Sequence, residues 1–476
     1  MTMTRRRVLG LLPPMALLSG RPRTLDAMAP PDAAAPRLRF EVTLARHLAP
    51  GPRDGRLFVA LAADAPVEPR LVAGRTGLDA PPILARDVAA WEPGAMQSLD
   101  ARAAAFPIAD LDHLPPGDYA VQAVLDVNDE RTGLNSPGNL YSATRRVHLD
   151  PARGGAVALE LDQAVPPEAP EDGEWVRFLA IRSERLSAFH GRPIRLRAGV
   201  ILPRDFDREP TRRYPLRVHI GGFGARSTEV RDLMAEGHPF RRAWLADDAP
   251  RMILLHLDGA GPLGDPYQVN SANNGPYGDA VVGELIPEVE RRFRGIARGS
   301  ARVLDGGSTG GWVALALQIF YPESFQGAWA FCPDSVDFRS FQLIDLDRDR
   351  NAYVNAHGFE RPAARELSGD VRYTMRHECQ MENVLGRGDS WTLSGGQWGS
   401  WNAVYGPRGP DGRPAAAWDP ATGAIDPAVV AHWARYDLRR VLQDGWATLG
   451  PKLRGKLHIW VGEADDYFLN NAVHRL

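Results

Sequence analysis

Arg302-Val303-Leu304-Asp305 runs into Gly306-Gly307-Ser308-Thr309-Gly310-Gly311, and that turn runs into an apolar segment, 312–321, that stops at Pro322. The first segment reads as a short buried strand. The last, with Val313, Ala314, Leu315, Ala316, Leu317 and Ile319, reads as a helix. A serine between strand and helix sits in a strained turn that presents its hydroxyl above a sheet, while flanking glycines accept the backbone geometry and admit the helix. The helix N-terminus adds partial positive charge where an oxyanion would develop. G-x-S-x-G alone arises by chance; the strand before it and the apolar helix after it make Ser308 a candidate nucleophile.

Outward from this turn, strands alternate with helices from Trp175 onward. Segments 175–181 and 194–202 read as consecutive strands, and 216–220, 252–257, 326–331 and 457–461 as short buried ones. Val282, Leu285, Ile286, Val289 and Phe293 give 279–293 a helical spacing. The alternation predicts an α/β domain over 174–476, with a mostly parallel sheet and helices on both faces. Within it, 335–453 is rich in Trp, Gly and charge and too long for a plain loop, so it reads as a partly helical cap over the sheet's carboxyl edge.

Toward the N-terminus, 164–173 is proline-rich and acidic, the composition of an extended linker. Before it, 33–163 reads as strands (37–44, 56–62, 119–127, 145–149 and 156–161) separated by Pro/Gly turns, which predicts an all-β, immunoglobulin-like sandwich as an accessory domain. Residues 1–32 begin Thr4-Arg5-Arg6-Arg7-Val8-Leu9, continue apolar to Leu18 and reach Ala27-Met28-Ala29, the pattern of a twin-arginine-like export signal. A periplasmic or secreted location is the expectation. No apolar run reaches the roughly 18 residues a bilayer span needs, so stable membrane insertion is not expected.

A net charge of -3 over 476 residues gives no electrostatic reason to expect nucleic acid as a partner. Two cysteines, Cys332 and Cys379, cannot form a disulfide framework or a cysteine zinc site. Cys332 follows an apolar run and reads as a small buried hydrophobe. Asp345-Leu346-Asp347-Arg348-Asp349 spaces its carboxylates like the start of a calcium loop but lacks the glycine and the twelfth-position glutamate. Trp391, Trp398, Trp401 and Tyr405 make the insertion aromatic, either to stack on a sugar or aromatic acyl group or to form the core of a lid.

Val200-Ile201-Leu202-Pro203, Tyr214-Pro215-Leu216, Ile220-Gly221-Gly222-Phe223-Gly224, Asn274-Gly275-Pro276-Tyr277-Gly278-Asp279, the turn at Ser308 and Tyr321-Pro322-Glu323-Ser324-Phe325 follow one another in order. In that series the chain from Ile194 onward resembles the esterase family of α/β-hydrolases that includes esterase D, feruloyl esterases, enterochelin esterases and mycolyltransferases. The resemblance implies an α/β-hydrolase fold and an oxyanion hole from the backbone N–H groups of Phe223 and Thr309. It also implies an orienting carboxylate after the last strand, in Gly462-Glu463-Ala464-Asp465-Asp466, at Asp465 with Asp466 as competitor.

The histidine that such a carboxylate orients lies, by resemblance, after one more helix and strand, which places it beyond Leu476; His474 follows Asp465 too closely to serve. The resulting expectation is an exported serine carboxylic-ester hydrolase working through an acyl-enzyme on Ser308. It needs no metal or organic cofactor and takes a small-molecule or carbohydrate-linked ester. An acyltransferase would use the same machinery, and a non-catalytic binding protein would follow if the histidine were truly absent.

Overall fold

Short apolar runs bounded by Gly, Pro and charged turns build the sheet that carries the elbow. Its strands are β1 (Val176–Ser183), β2 (Ile194–Ile201), β3 (Leu216–Ile220), β4 (Ile253–Leu257), β5 (Arg302–Gly307), β6 (Gly327–Phe331) and β7 (Leu457–Trp460). They lie in the order β1-β2-β4-β3-β5-β6-β7. β2 is antiparallel to β1 and β4, and every pairing from β4 across to β7 is parallel. After β3 the chain steps outward to β4 and then returns past β3 to β5. Such a reversal opens a crevice at the carboxyl ends of the strands, where α/β proteins place their ligands. Here those ends are the glycine loop after β3 and the elbow after β5.

The computed structural model describes residues 37–48, 50–63 and 67–476; the segment expected to be an export signal, 1–32, lies outside the described residues. No helix among the described residues is long and apolar enough to cross a membrane.

The helix after the elbow, Thr309–Phe320, is α2, with α1 (Pro239–Leu245) preceding it in the chain. Every residue of α2 from Thr309 to Ile319 is buried, as an all-round apolar helix must be. The expected 279–293 helix forms as Tyr277–Ala280, a π turn Val281–Leu285, and Ile286–Arg292. The widened turn immediately precedes Pro287, which has no N–H to continue the ordinary ladder. One part of the expectation of helices on both faces is not met: at β6 and β7, Trp329 stacks on His458 and Phe331 on Trp460, and Phe331 and Trp460 are about half exposed.

The 335–453 insertion contains α3 (Met375–Leu385), α4 (Gln397–Tyr405) and a short hairpin. Its final residues form α5 (Leu438–Leu453), which packs on α2 and leads into β7 as a crossover helix. Trp391, Trp398, Trp401 and Tyr405 are all buried, packed with Phe341, Trp418 and Trp433. Of the two readings of these aromatics, lid core is the one found. Asp347 and Asp349 in the calcium-like loop pair with Arg440 and Arg361.

The N-terminal part is a nine-stranded hydrogen-bonded set, with Arg39–Leu44 parallel to Ala156–Ala164. Alternate residues of its strands (Phe40, Val42, Leu57, Val59, Val121, Ala123, Leu159, Leu161) converge on one core. Four of its strands, Ile83–Trp91, Met96–Leu99, Ala104–Phe106 and Leu140–Ser142, were not expected. Ile83–Trp91 reads Ile-Leu-Ala-Arg-Asp-Val-Ala-Ala-Trp, and its inward residues do not alternate. A second cluster joins Phe58, Ile83 and Val124 of this part to Met381 and Val384 of α3.

Candidate active site

Ser308 has φ 55° and ψ −125°, a conformation that a residue with a side chain adopts only under compulsion and that costs about 1–3 kcal/mol. The compulsion is visible in its hydrogen bonds. Ser308 N–H donates to the Phe331 carbonyl at the end of β6 (2.9 Å), and its own carbonyl accepts from Gly311 and Trp312 (2.9 and 3.1 Å) and from Asp334 (3.2 Å). Two glycines admit the turn. A Cβ on Gly306 would lie 2.4 Å from the Gly310 carbonyl, and one on Gly310 would lie 2.1 Å from the Ile220 oxygen and 2.4 Å from the Gly221 oxygen. The elbow is therefore pressed directly against the start of the glycine loop.

Thr309 is buried and opens α2, where the first N–H groups have no intrahelical partner. Phe223 lies in the glycine loop at 36% exposure, and its N–H has no acceptor among the described residues. The loop is tied down from below. Asp265 Oδ2 accepts from Gly224 N–H (3.1 Å) and Oδ1 from Tyr267 N–H (2.9 Å). Burial of this carboxyl raises it to about 7, against the lowering effect of the two backbone donors.

Asp334 is hydrogen-bonded to the Ser308 hydroxyl. Ser308 Oγ donates to Asp334 Oδ1 at 3.2 Å. Oδ2 accepts from Tyr267 OH (2.7 Å), Thr309 Oγ1 (3.0 Å) and Trp401 Nε1 of α4 (3.2 Å), with Gln397 Nε2 at 3.5 Å. The carboxyl is 1% exposed, and burial pushes it above its ordinary range while these hydrogen bonds pull it back. The sequence alone gives Asp334 no role, the insertion beginning one residue after it. Its partners arrive from segments with no common motif, so no local signal marks it.

Asp465 and Asp466 lie in the loop after β7. Asp465 Oδ1 accepts from Tyr467 and Leu469 N–H (both 3.0 Å), and the carbonyls of both aspartates are held by Arg365. Asp465 is close enough to Cys332 to help raise its thiol, after burial, which is the larger cause. Cys332 is only partly buried, at φ 37°, on the strand end beside Ser308; it is not the buried hydrophobe expected. Asp465 and Ser308 are not bridged by any histidine among the described residues. His474 meets Glu463 (3.4 Å), His256 meets Glu229 (3.6 Å), and His219 meets Asp305 (3.0 Å).

Asp305, on β5 beneath the elbow, also takes a bidentate pair from Arg217 of β3 (2.8 and 2.6 Å). Burial would raise its carboxyl, but the bonds from Arg217 and His219 outweigh that and hold it at about 2. This pair locks β3 to β5 directly under the two loops. No group of three or more His, Cys, Asp or Glu among the described residues is arranged to hold a metal.

The sequence of the family described as Putative esterase matches residues 193–434, half of the chain. The chain belongs to this esterase family. The match spans β2 to the residues before α5 and takes in the glycine loop, the elbow and most of the insertion. As a member, the esterase is a serine ester hydrolase with an α/β-hydrolase-like fold. Among solved structures it is similar to a ferulic acid esterase (13% identity, covering 63% of this chain and 94% of that one, TM-score 0.30). It is also similar to an S-formylglutathione hydrolase from Agrobacterium tumefaciens (11%, 63% and 90%, 0.30). A third is a ferulic acid esterase from Anaeromyces mucronatus in complex with ferulic acid (17%, 36% and 62%, 0.25). No curated protein matches the esterase.

Proposed function

We propose that the esterase cleaves carboxylic esters through an acyl-enzyme on Ser308. The observation that carries this reading is the strained φ of Ser308 at the junction of β5 and α2, over-determined by four backbone hydrogen bonds and two glycines that tolerate no Cβ. Ser308 Oγ attacks the ester carbonyl carbon as a base takes its proton, the oxyanion is met by the N–H groups of Thr309 and Phe223, and the base returns that proton to the alcohol as its bond to the acyl carbon breaks. Water then releases the acid. Asp465 is the carboxylate that orients the base, in the loop where the family pattern puts it. Small-molecule and carbohydrate-linked esters are the substrate class.

We further read 33–163 as an immunoglobulin-like accessory domain, its first strand running parallel to its last, 164–173 as the linker, and 1–32 as an export signal for a periplasmic or secreted enzyme. The test of the activity is hydrolysis of p-nitrophenyl acetate and of a methyl hydroxycinnamate by the purified chain beside Ser308→Ala. Ester cleavage that falls by about 10³-fold or more in the variant is the expected result. Cleavage that survives the substitution removes Ser308 from the mechanism.

A further inference from the structure

We propose that Asp334 is a positioning residue for the nucleophile, a buried carboxylate that holds the Ser308 hydroxyl with one oxygen while neighbours from separate parts of the chain lock the other. The inference rests on the reading of Ser308 as nucleophile. The grip is double: Oδ1 accepts from Ser308 Oγ (3.2 Å), and the Asp334 N–H donates to the Ser308 carbonyl (3.2 Å). Side chain and backbone of one residue therefore fix side chain and backbone of the other. On Oδ2 the donors are Tyr267 OH, from the loop after β4, Thr309 Oγ1 of the elbow, and Trp401 Nε1 of the insertion, with Gln397 at the limit of reach.

An ionised carboxylate is acceptor-only and has about four lone-pair sites, which suits a ring of hydroxyl, indole and amide donors. None of these partners carries a positive charge, so the donors offset only part of the cost of burying the anion, and burial keeps the carboxyl raised. An isosteric carboxamide can keep its oxygen on the far-side donors only by turning its NH₂ to Ser308 Oγ, which then accepts where it had donated. With Oδ2 saturated, the carboxylate is held against rotation about χ2, and the Ser308 hydroxyl is kept in one rotamer. The same carboxylate holds Thr309, whose N–H is proposed to meet the oxyanion. Nucleophile and oxyanion donor thus share one anchor, and α4 of the insertion reaches that anchor through Trp401.

The experiment is steady-state hydrolysis of p-nitrophenyl acetate by the full chain, with melting temperatures, for Asp334→Asn, Trp401→Phe and Ser308→Ala. Asp334→Asn is expected to lower kcat by about 10–100-fold with KM changed by less than about twofold. Trp401→Phe removes one donor from Oδ2 without touching Ser308, and it gives a smaller fall in kcat of the same kind. If Ser308→Ala abolishes hydrolysis while kcat is unchanged in both other variants, the inference is overturned and the nucleophile stands. The same holds if activity in them falls only through KM or only in step with lost folded protein. Hydrolysis retained in Ser308→Ala overturns the nucleophile reading and this inference with it.

Discussion

A serine at positive φ needs neighbours that leave it no alternative, and at Ser308 the tightest of these is Gly310. A methyl there meets two carbonyl oxygens of the glycine loop within van der Waals contact. Gly310→Ala is therefore expected to cost about 1–3 kcal/mol of stability by overpacking, and to reduce ester cleavage by about 10²-fold because the elbow must shift from the loop. Thermal melting and kcat/KM on one preparation check both parts; a variant with unchanged melting and activity would show that the two loops are not in register as described. The glycines and the serine were legible because a strand and an apolar helix bracket them. Asp334 was not, since Tyr267, Thr309 and Trp401 lie far apart in sequence and meet only in three dimensions. Cys332 was misread for a related reason: its apolar run is β6, and Cys332 lies one residue past that strand's end, where it is only partly buried.

Among the elements, α4 is joined to α3 by two carboxylates one turn apart, Glu382 buried and Glu378 partly buried. Glu382 accepts from the N–H groups of Trp398 and Gly399 (both 2.9 Å) at the start of α4, and Glu378 accepts from Trp398 Nε1 (2.8 Å). Burial raises Glu382 to about 7; burial and then the charge of Glu382 raise Glu378 to about 8. Both ionise near 4.5 when unfolded, so between about 4.5 and 8 the folded chain binds more protons than the unfolded one. Their contribution to stability is full below that window and is lost as pH rises through it. Melting temperature should fall between pH 5 and about 8, and Glu378→Gln should flatten the slope, as a melting series would record. A variant with the wild-type slope would assign the pH dependence elsewhere. The parallel strands were legible as short apolar runs. The strand Ile83–Trp91 was not, because its burial follows contacts with α3 and flanking strands rather than a period of two.

For the molecule as a whole, the N-terminal strands are fastened to the insertion through Arg56. This side chain is 1% exposed, donates to the Val384 carbonyl of α3 (2.9 Å) and pairs with Asp87 (2.8 Å) and Asp389 (2.7 Å). Arg56→Ala leaves the buried Val384 carbonyl without the guanidinium and is expected to cost about 1–3 kcal/mol. It should also separate melting of the N-terminal part from that of the catalytic part; calorimetry showing one undisturbed transition at the original temperature would contradict this. The composition change at 164–173 is what suggests a linker between two parts. That the N-terminal strands grip the insertion was not legible, because a buried arginine in an apolar strand gives no hint of the carbonyl it will meet some 300 residues later.

The central claim is that Ser308 is the nucleophile, and its most direct test is to treat the chain with a fluorophosphonate and map the adduct by peptide mass spectrometry. The account predicts a single stoichiometric modification on the peptide containing Gly307-Ser308-Thr309, absent after Ser308→Ala. An adduct mapped to any other residue would contradict it.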